Sequence, residues 1–303
     1  MSAHDMPGQP RFAAMDSIGR RELLRRIAIA AGCVSAPWLG LVPSLGAQIQ
    51  IPSEFDNGLD SIAVAFKAPT GMTLGYMSQP KAAGMRPGVV ILHDMAGLSN
   101  NVRGLARSLA NTGYAVVAPD LLSPQGGTAG FRGVDAEVQK AVAAATAAAV
   151  GQQATAALGY VKTHGGGGGR GLGLVGFGWG GTQALLYAAG RTDIAACVAF
   201  YPNPKLVLPV LAKISAPTLI IFAADDPATK DGAAGVEQAA AASKRPQTVK
   251  VYPGVGRNFH DPGAGAKIYN AAGAKEVWTA LLQHLDQQTK DATKEKPKAT
   301  AGV

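Results

Sequence analysis

Four glycines fall within six residues at Gly176-Phe177-Gly178-Trp179-Gly180-Gly181, between the apolar run Leu172–Val175 and the helical run Thr182–Ala189. A short apolar run ended by glycines and followed by helical spacing reads as strand, sharp turn, helix. Glycines on both sides of such a turn let the strand and helix backbones approach closely. The central residue is then held in a strained conformation that exposes its side chain, in the pattern Gly-x-nucleophile-x-Gly. A phosphate-binding turn competes with this reading, because Gly176, Gly178, Gly180 and Gly181 come near to a Gly-x-Gly-x-x-Gly spacing without matching it.

The chain around the turn alternates between two kinds of segment. Ile62–Phe66 and Thr73–Met77 read as short strands across the turn Pro69-Thr70-Gly71. Gly88–His93, Tyr114–Ala118, Leu172–Val175, Ile194–Tyr201, Thr218–Ala223 and Thr248–Tyr252 are strand-like runs, most of them continuously apolar as in strands covered on both faces. Helical spacing is expected over Leu98–Ala110, Val134–His164 with a break near Gly151, Gly232–Ala242 and Ala264–Leu285. The pentaglycine 165–169 is expected as a flexible loop, with His164 an exposed helix-end residue at its edge. This alternation predicts an α/β fold, a mostly parallel twisted sheet with helices on both faces. A doubly wound sheet and a (β/α)₈ barrel both suit the length, and the turn at 176–181 favours the former.

Both ends are set apart. Arg20-Arg21 precedes an apolar run from Ile27 to Val42, and Leu45-Gly46-Ala47 offers small residues for cleavage. Residues 1–47 are expected to be a twin-arginine-type signal peptide directing the protein to the periplasm. A lipoprotein signal ending at Cys33 is the alternative, and no stable membrane span is expected once the signal is cleaved. Residues 48–287 form the expected domain, and 288–303 an expected disordered Lys/Thr/Ala-rich tail. A mature chain retains only Cys197, expected as a buried inert thiol. The formal charge of +8 is spread without a Lys/Arg block interleaved with aromatics, so no nucleic-acid partner is expected. The five histidines show no ligand spacing, so neither metal nor cofactor is expected.

Several segments, in order, resemble the dienelactone hydrolase family of the α/β-hydrolase superfamily. Gly176-Phe177-Gly178-Trp179-Gly180-Gly181 resembles its Gly-Phe-Cys-x-Gly-Gly elbow. Val89–Asp94 with Gly97-Leu98-Ser99 resembles its first sheet strand and oxyanion loop, and Tyr114–Asp120 with Gly126-Gly127-Thr128 its next strand and loop. Ala199-Phe200-Tyr201, Phe222–Pro227 and Tyr252–Asp261 resemble the strand after the elbow helix, the acid-bearing strand end and the histidine loop. The likeness spans residues 60–287 and implies the α/β-hydrolase fold, with small esters or lactones as substrates.

Carried over position by position, the resemblance places the acid at Asp226, the nucleophile at Gly178 and the histidine at Arg257. Glycine has no attacking group, and a guanidinium has no lone pair with which to accept a proton. Oxyanion donors are expected at the Trp179 amide and in the Asp94–Met95 stretch. Asp94 stands where the family keeps a glutamate, and Met95-Ala96 where relatives often carry an arginine. His260 as a substitute base, and Thr182 or Ser99 as a substitute nucleophile, compete with ordinary structural roles for all three. The expected function is therefore an ester/lactone hydrolase scaffold with weak or absent hydrolysis. The alternative is a non-catalytic binding protein for a carboxylate-bearing ligand held by Arg257, unless Asp226 pairs with Arg257 and cancels its charge. A scaffolding role through the tail Lys290–Lys298 is the third reading.

Overall fold

The computed structural model describes residues 52–131, 135–165 and 171–289. The strands are β1 (Leu59–Ala68), β2 (Gly71–Pro80), β3 (Gly88–Leu92), β4 (Ala115–Pro119), β5 (Leu172–Phe177), β6 (Ala196–Phe200), β7 (Thr218–Ala223) and β8 (Gln247–Tyr252). They form one eight-stranded sheet in the order β1-β2-β4-β3-β5-β6-β7-β8. β1 and β2 make an antiparallel hairpin, β2 pairs antiparallel with β4, and the remaining pairings are parallel.

Successive side chains on a strand point to opposite faces, so each buried strand feeds two cores. Val89, Ile91, Val175, Val198 and Ile221 pack on one face under helices α1 (Asn100–Asn111) and α7 (Ala271–Thr289). Val90, Leu92, Leu174, Cys197 and Ile220 pack on the other. There they meet α3 (Ala147–His164), α4 (Trp179–Ala188) and α6 (Lys230–Ala242). Burial without a polar partner pushes the Cys197 thiol up to about 12, consistent with an inert core cysteine. The doubly wound arrangement is observed, and no described helix is long and apolar enough to cross a membrane.

Three boundaries differ from the sequence expectation. The helical stretch before the pentaglycine breaks between α2 (Asp135–Ala144) and α3, not at Gly151. Thr146 caps α3 by accepting the Ala149 amide at 3.2 Å, while Gly151 sits inside the helix facing the Tyr187 ring. The last helix starts at Ala271 rather than Ala264, because residues 262–270 form turns and Asn270 accepts the Gly273 amide at 2.9 Å. It also runs on to Thr289, two residues past the expected end of the domain. The expected signal peptide, pentaglycine residues 166–169 and the tail from 290 lie outside the described residues.

The loops that follow β3 and β4 are laced together beside the turn at Gly178. Buried Asp120 accepts the Leu122 amide at 3.1 Å, the Thr128 amide at 2.6 Å and the Thr128 hydroxyl at 2.9 Å. That hydroxyl accepts the Leu98 amide at 2.9 Å, tying the β4 loop to the β3 loop. Buried His93 accepts the Leu121 amide at Nε2, 3.1 Å, so Nδ1 carries the proton and donates to the Asp94 carbonyl at 2.8 Å. Burial lowers its pKa and keeps the ring neutral as a brace.

Candidate active site

The turn is built by close backbone approach. A Cβ on Gly176 would stand 2.2 Å from the Gly180 carbonyl oxygen, and one on Gly181 2.6 Å from that of Phe200. Between them Gly178 adopts φ 55, ψ −113, caps α4, and donates its amide to the Phe200 carbonyl at 2.8 Å. This is the conformation an elbow imposes on its apex residue, and L side chains adopt it rarely. A Cβ on Gly178 would point into the cleft, 3.1 Å from Arg257 Nη1 and 3.6 Å from Asp94 Cβ. A side chain at the apex would therefore be crowded by Arg257, which would have to give way by a few tenths of an ångström.

Asp226 lies just past β7, with its side chain only 2% exposed. Its carboxylate accepts the Ala228 amide at 3.0 Å and the Thr229 hydroxyl at 2.9 Å. Oδ2 also pairs with Arg257 Nη2 at 2.8 Å. The Arg257 side chain is 35% exposed, and its guanidinium lies 5.4 Å from the Tyr201 ring centroid. Gly178, Asp226 and Arg257, more than thirty residues apart along the chain, thus meet at one point, with Trp179 and Asp94 beside them.

The other expected residues take different places. His260 is stacked on Phe177 at 5.4 Å and tilted against Phe200 at 5.1 Å, and its Nδ1 is 3.0 Å from the Tyr201 hydroxyl. Enclosure among these rings pushes its imidazole down to about 4 and keeps it off the cleft wall. The Met95 side chain packs with Leu122, Val138 and Val142, so only its backbone stays on the loop beside the turn. Among the described residues, the Met95 and Trp179 amides donate to no protein acceptor. The Thr182 hydroxyl donates to the Gly178 carbonyl at 3.3 Å and accepts the Asn203 amide at 2.8 Å, which occupies it structurally. Ser99 caps α1 through the Val102 amide at 3.4 Å.

The cleft measures about 220 Å³ and is lined by Gly178, Trp179, Gln183, Tyr201, Asn203 and Arg257, among others. Sequence reasoning missed Gln183. It follows Trp179 by four residues and so shares its helix face, with 8% of its surface exposed and no hydrogen-bond partner among the described residues. Tyr201, read only as a strand end, turns at a φ of 50 to form a wall of the cleft. Burial raises its phenol pKa.

Comparison with known proteins gives one consistent likeness. The profile described as "Dienelactone hydrolase family" matches residues 74–289. A Methylorubrum extorquens protein named "Putative carboxymethylenebutenolidase" is 27% identical over 288 residues, covering 91% of this chain and 97% of its own. A crystal structure titled "Putative Dienelactone Hydrolase" from Klebsiella pneumoniae superposes with a TM-score of 0.69 at 27% identity. It covers 76% of this chain and 100% of that one. A dienelactone hydrolase from Anabaena variabilis, 20% identical with a TM-score of 0.58 and covering 77% of this chain and 100% of that one, shows the fold alone.

Proposed function

Because the chain belongs to the dienelactone hydrolase family and has the α/β-hydrolase fold, we propose that it is an ester/lactone hydrolase scaffold without covalent catalysis. The observation that carries this is the elbow apex at Gly178, a backbone turn with only hydrogen on it, facing Arg257 paired to Asp226 at 2.8 Å. An acyl-enzyme needs a nucleophile with a lone pair and a base within hydrogen-bond reach. Glycine supplies no nucleophile, and the guanidinium accepts no proton. What survives is electrostatic: the Trp179 amide at the start of α4, and the Met95 amide on the neighbouring loop. In hydrolases stripped of their triad, such features with substrate binding retain roughly 10³–10⁴ over the uncatalysed rate. Water is then the attacking group, and turnover is weak.

The expected result is hydrolysis of a nitrophenyl ester at or near background, with no acyl adduct on the intact protein by mass spectrometry. Robust turnover abolished by His260→Ala or Thr182→Ala would mean that another armed group exists.

A second reading, capture of a small carboxylate, is favoured by one feature. Arg257 uses Nη2 for Asp226 and leaves Nη1 beside the apex, 3.1 Å from the position of a Gly178 Cβ. The charge is shared with Asp226, which ranks this reading second.

The N-terminal Arg20-Arg21 pair and the apolar run after it bear on where the protein acts. We propose that the twin-arginine pair exports the folded protein to the periplasm. Arg20→Lys with Arg21→Lys is expected to leave uncleaved protein in the cytoplasm, read by fractionation and intact mass. Unchanged periplasmic recovery of a shortened chain would exclude this route.

A further inference from the structure

A turn remote from the cleft in sequence sets a reactive residue pair beside a group placed to activate it. Asn57-Gly58 is the one Asn-Gly pair in the chain. It lies in the turn that leads into β1, and both residues are exposed. The Asn57 carboxamide makes no hydrogen bond among the described residues. The Gly58 amide donates to Asp56 Oδ1 at 2.7 Å, and without a Cβ the glycine leaves the approach to its nitrogen open. The turn around the pair is fixed. Asp56 donates its amide to the Ser53 carbonyl at 3.1 Å, and Leu59 donates to the Asp56 carbonyl at 3.2 Å. The Gly58 carbonyl accepts the Lys81 amide at 3.0 Å.

A backbone nitrogen attacks the preceding carboxamide only as it sheds its proton. Here that proton is the one the Asp56 carboxylate already holds. The separation of 2.7 Å is within reach of a general base, and a carboxylate acceptor makes the bond a charge-assisted one. Exposure on the turn supplies the water that a later hydrolysis consumes.

We propose that Asn57 is a self-modification site, at which the Gly58 nitrogen closes on the Asn57 side chain with Asp56 as general base. The Gly58 nitrogen forms a bond to Asn57 Cγ and passes its proton to Asp56. The Cγ–Nδ2 bond breaks, and ammonia leaves with the proton that Asp56 returns. Water then opens the cyclic imide. Opening at one carbonyl gives aspartate, and opening at the other gives isoaspartate, whose main chain runs through the former side chain. Either product adds a negative charge to a turn that carries Glu54, Asp56 and Asp60. Isoaspartate also inserts a methylene between β1 and residues 52–54. Arg107 anchors those residues through the Pro52 carbonyl at 2.7 Å and Glu54 at 3.4 Å. The bond from the Leu59 amide to the Asp56 carbonyl spans the insertion, so it opens.

Peptide mapping of the purified chain after ageing at neutral pH tests this, with electron-transfer fragmentation to tell isoaspartate from aspartate. Asn57 is expected to convert to both products while the other asparagines keep their amides. In the converted fraction the Leu59 amide is expected to exchange with deuterium at least about tenfold faster. Asp56→Ser keeps a side-chain acceptor for the turn but no carboxylate, and is expected to slow conversion at least about fivefold. Gly58→Ala puts a methyl beside the attacking nitrogen, 3.2 Å from Asp56 Oδ1, and is expected to slow it at least about tenfold. An intact Asn57 after ageing, or conversion no faster than at the other exposed asparagines, overturns the site. Conversion unchanged or faster in folded Asp56→Ser overturns Asp56 as the base. The ester assay on the cleft is independent of all these outcomes.

Discussion

The double variant Gly178→Cys, Arg257→His is expected to hydrolyse a nitrophenyl ester at least about a hundredfold faster than the unaltered chain. The apex already holds the backbone conformation that a nucleophile requires, φ 55 and ψ −113. Its amide is tied to Phe200, and the close contacts of Gly176, Gly180 and Gly181 allow the turn little freedom. A cysteine there costs about 1–3 kcal/mol of backbone strain, which the surrounding structure can hold. The nearest obstacle to its side chain is Arg257 Nη1 at 3.1 Å, and the second substitution removes it. Asp226 keeps its bonds from Ala228 and Thr229 after the guanidinium is gone, so it stays in place to orient an imidazole. The single variants separate the parts. Gly178→Cys places a thiol beside a cation, which favours thiolate and acylation but provides no base for deacylation. A stoichiometric burst followed by stalling is expected. Arg257→His alone has a base but no nucleophile, and stays at background. If the folded double variant shows no gain, the loop carrying residue 257 does not deliver its side chain to the elbow as an imidazole would require.

Much of this architecture was legible because burial leaves a plain mark on sequence. Gly88–Leu92, Ala115–Pro119 and Thr218–Ala223 are buried at every position and, apart from Thr218, read as apolar runs. The meeting of Gly178, Asp226 and Arg257 was also legible, since each lies at a strand end or in the loop after one, and parallel strands bring such ends to one edge. Helix limits were less legible. Gly151 looked like a breaker, yet a helix tolerates an isolated glycine, whereas the Thr146 side chain supplies a cap bond that starts a new one. The helical run expected from Ala264 begins instead in turns, where Ile268 is exposed. Gln183 and Asp120 left no mark, because a glutamine in an apolar helix or an aspartate after a strand is ordinary. Their roles come from what the folded chain places around them. His260 shows the reverse: a histidine near a suspected site invites a chemical role, and only its enclosure by Phe177, Phe200 and Tyr201 reveals that it does not line the cleft.

Gly180→Ala is expected to lower stability by about 3–5 kcal/mol, a fall in melting midpoint of roughly 10 °C, or to prevent recovery of folded protein. The added methyl would stand 2.3 Å from the carbonyl oxygens of both Leu92 and His93. Those atoms are backbone, at the end of a strand paired on both sides, so no rotamer change relieves the overlap. Relief requires α4 to move off the sheet, which would open the packing of Leu185 and Ala184 and pull the α4 N-terminus away from the cleft. Gly159→Ala is the matched control. It lies in the interior of α3, where an added methyl meets nothing within 4 Å, so only helix propensity changes. It is expected to raise stability by about 0.5–1 kcal/mol. Thermal unfolding of both variants separates a requirement for glycine as such from the close approach at the elbow. If Gly180→Ala were to melt with the unaltered chain, the strand and helix would not meet as tightly as the turn demands, and the constraint on the Gly178 apex would have to come from elsewhere.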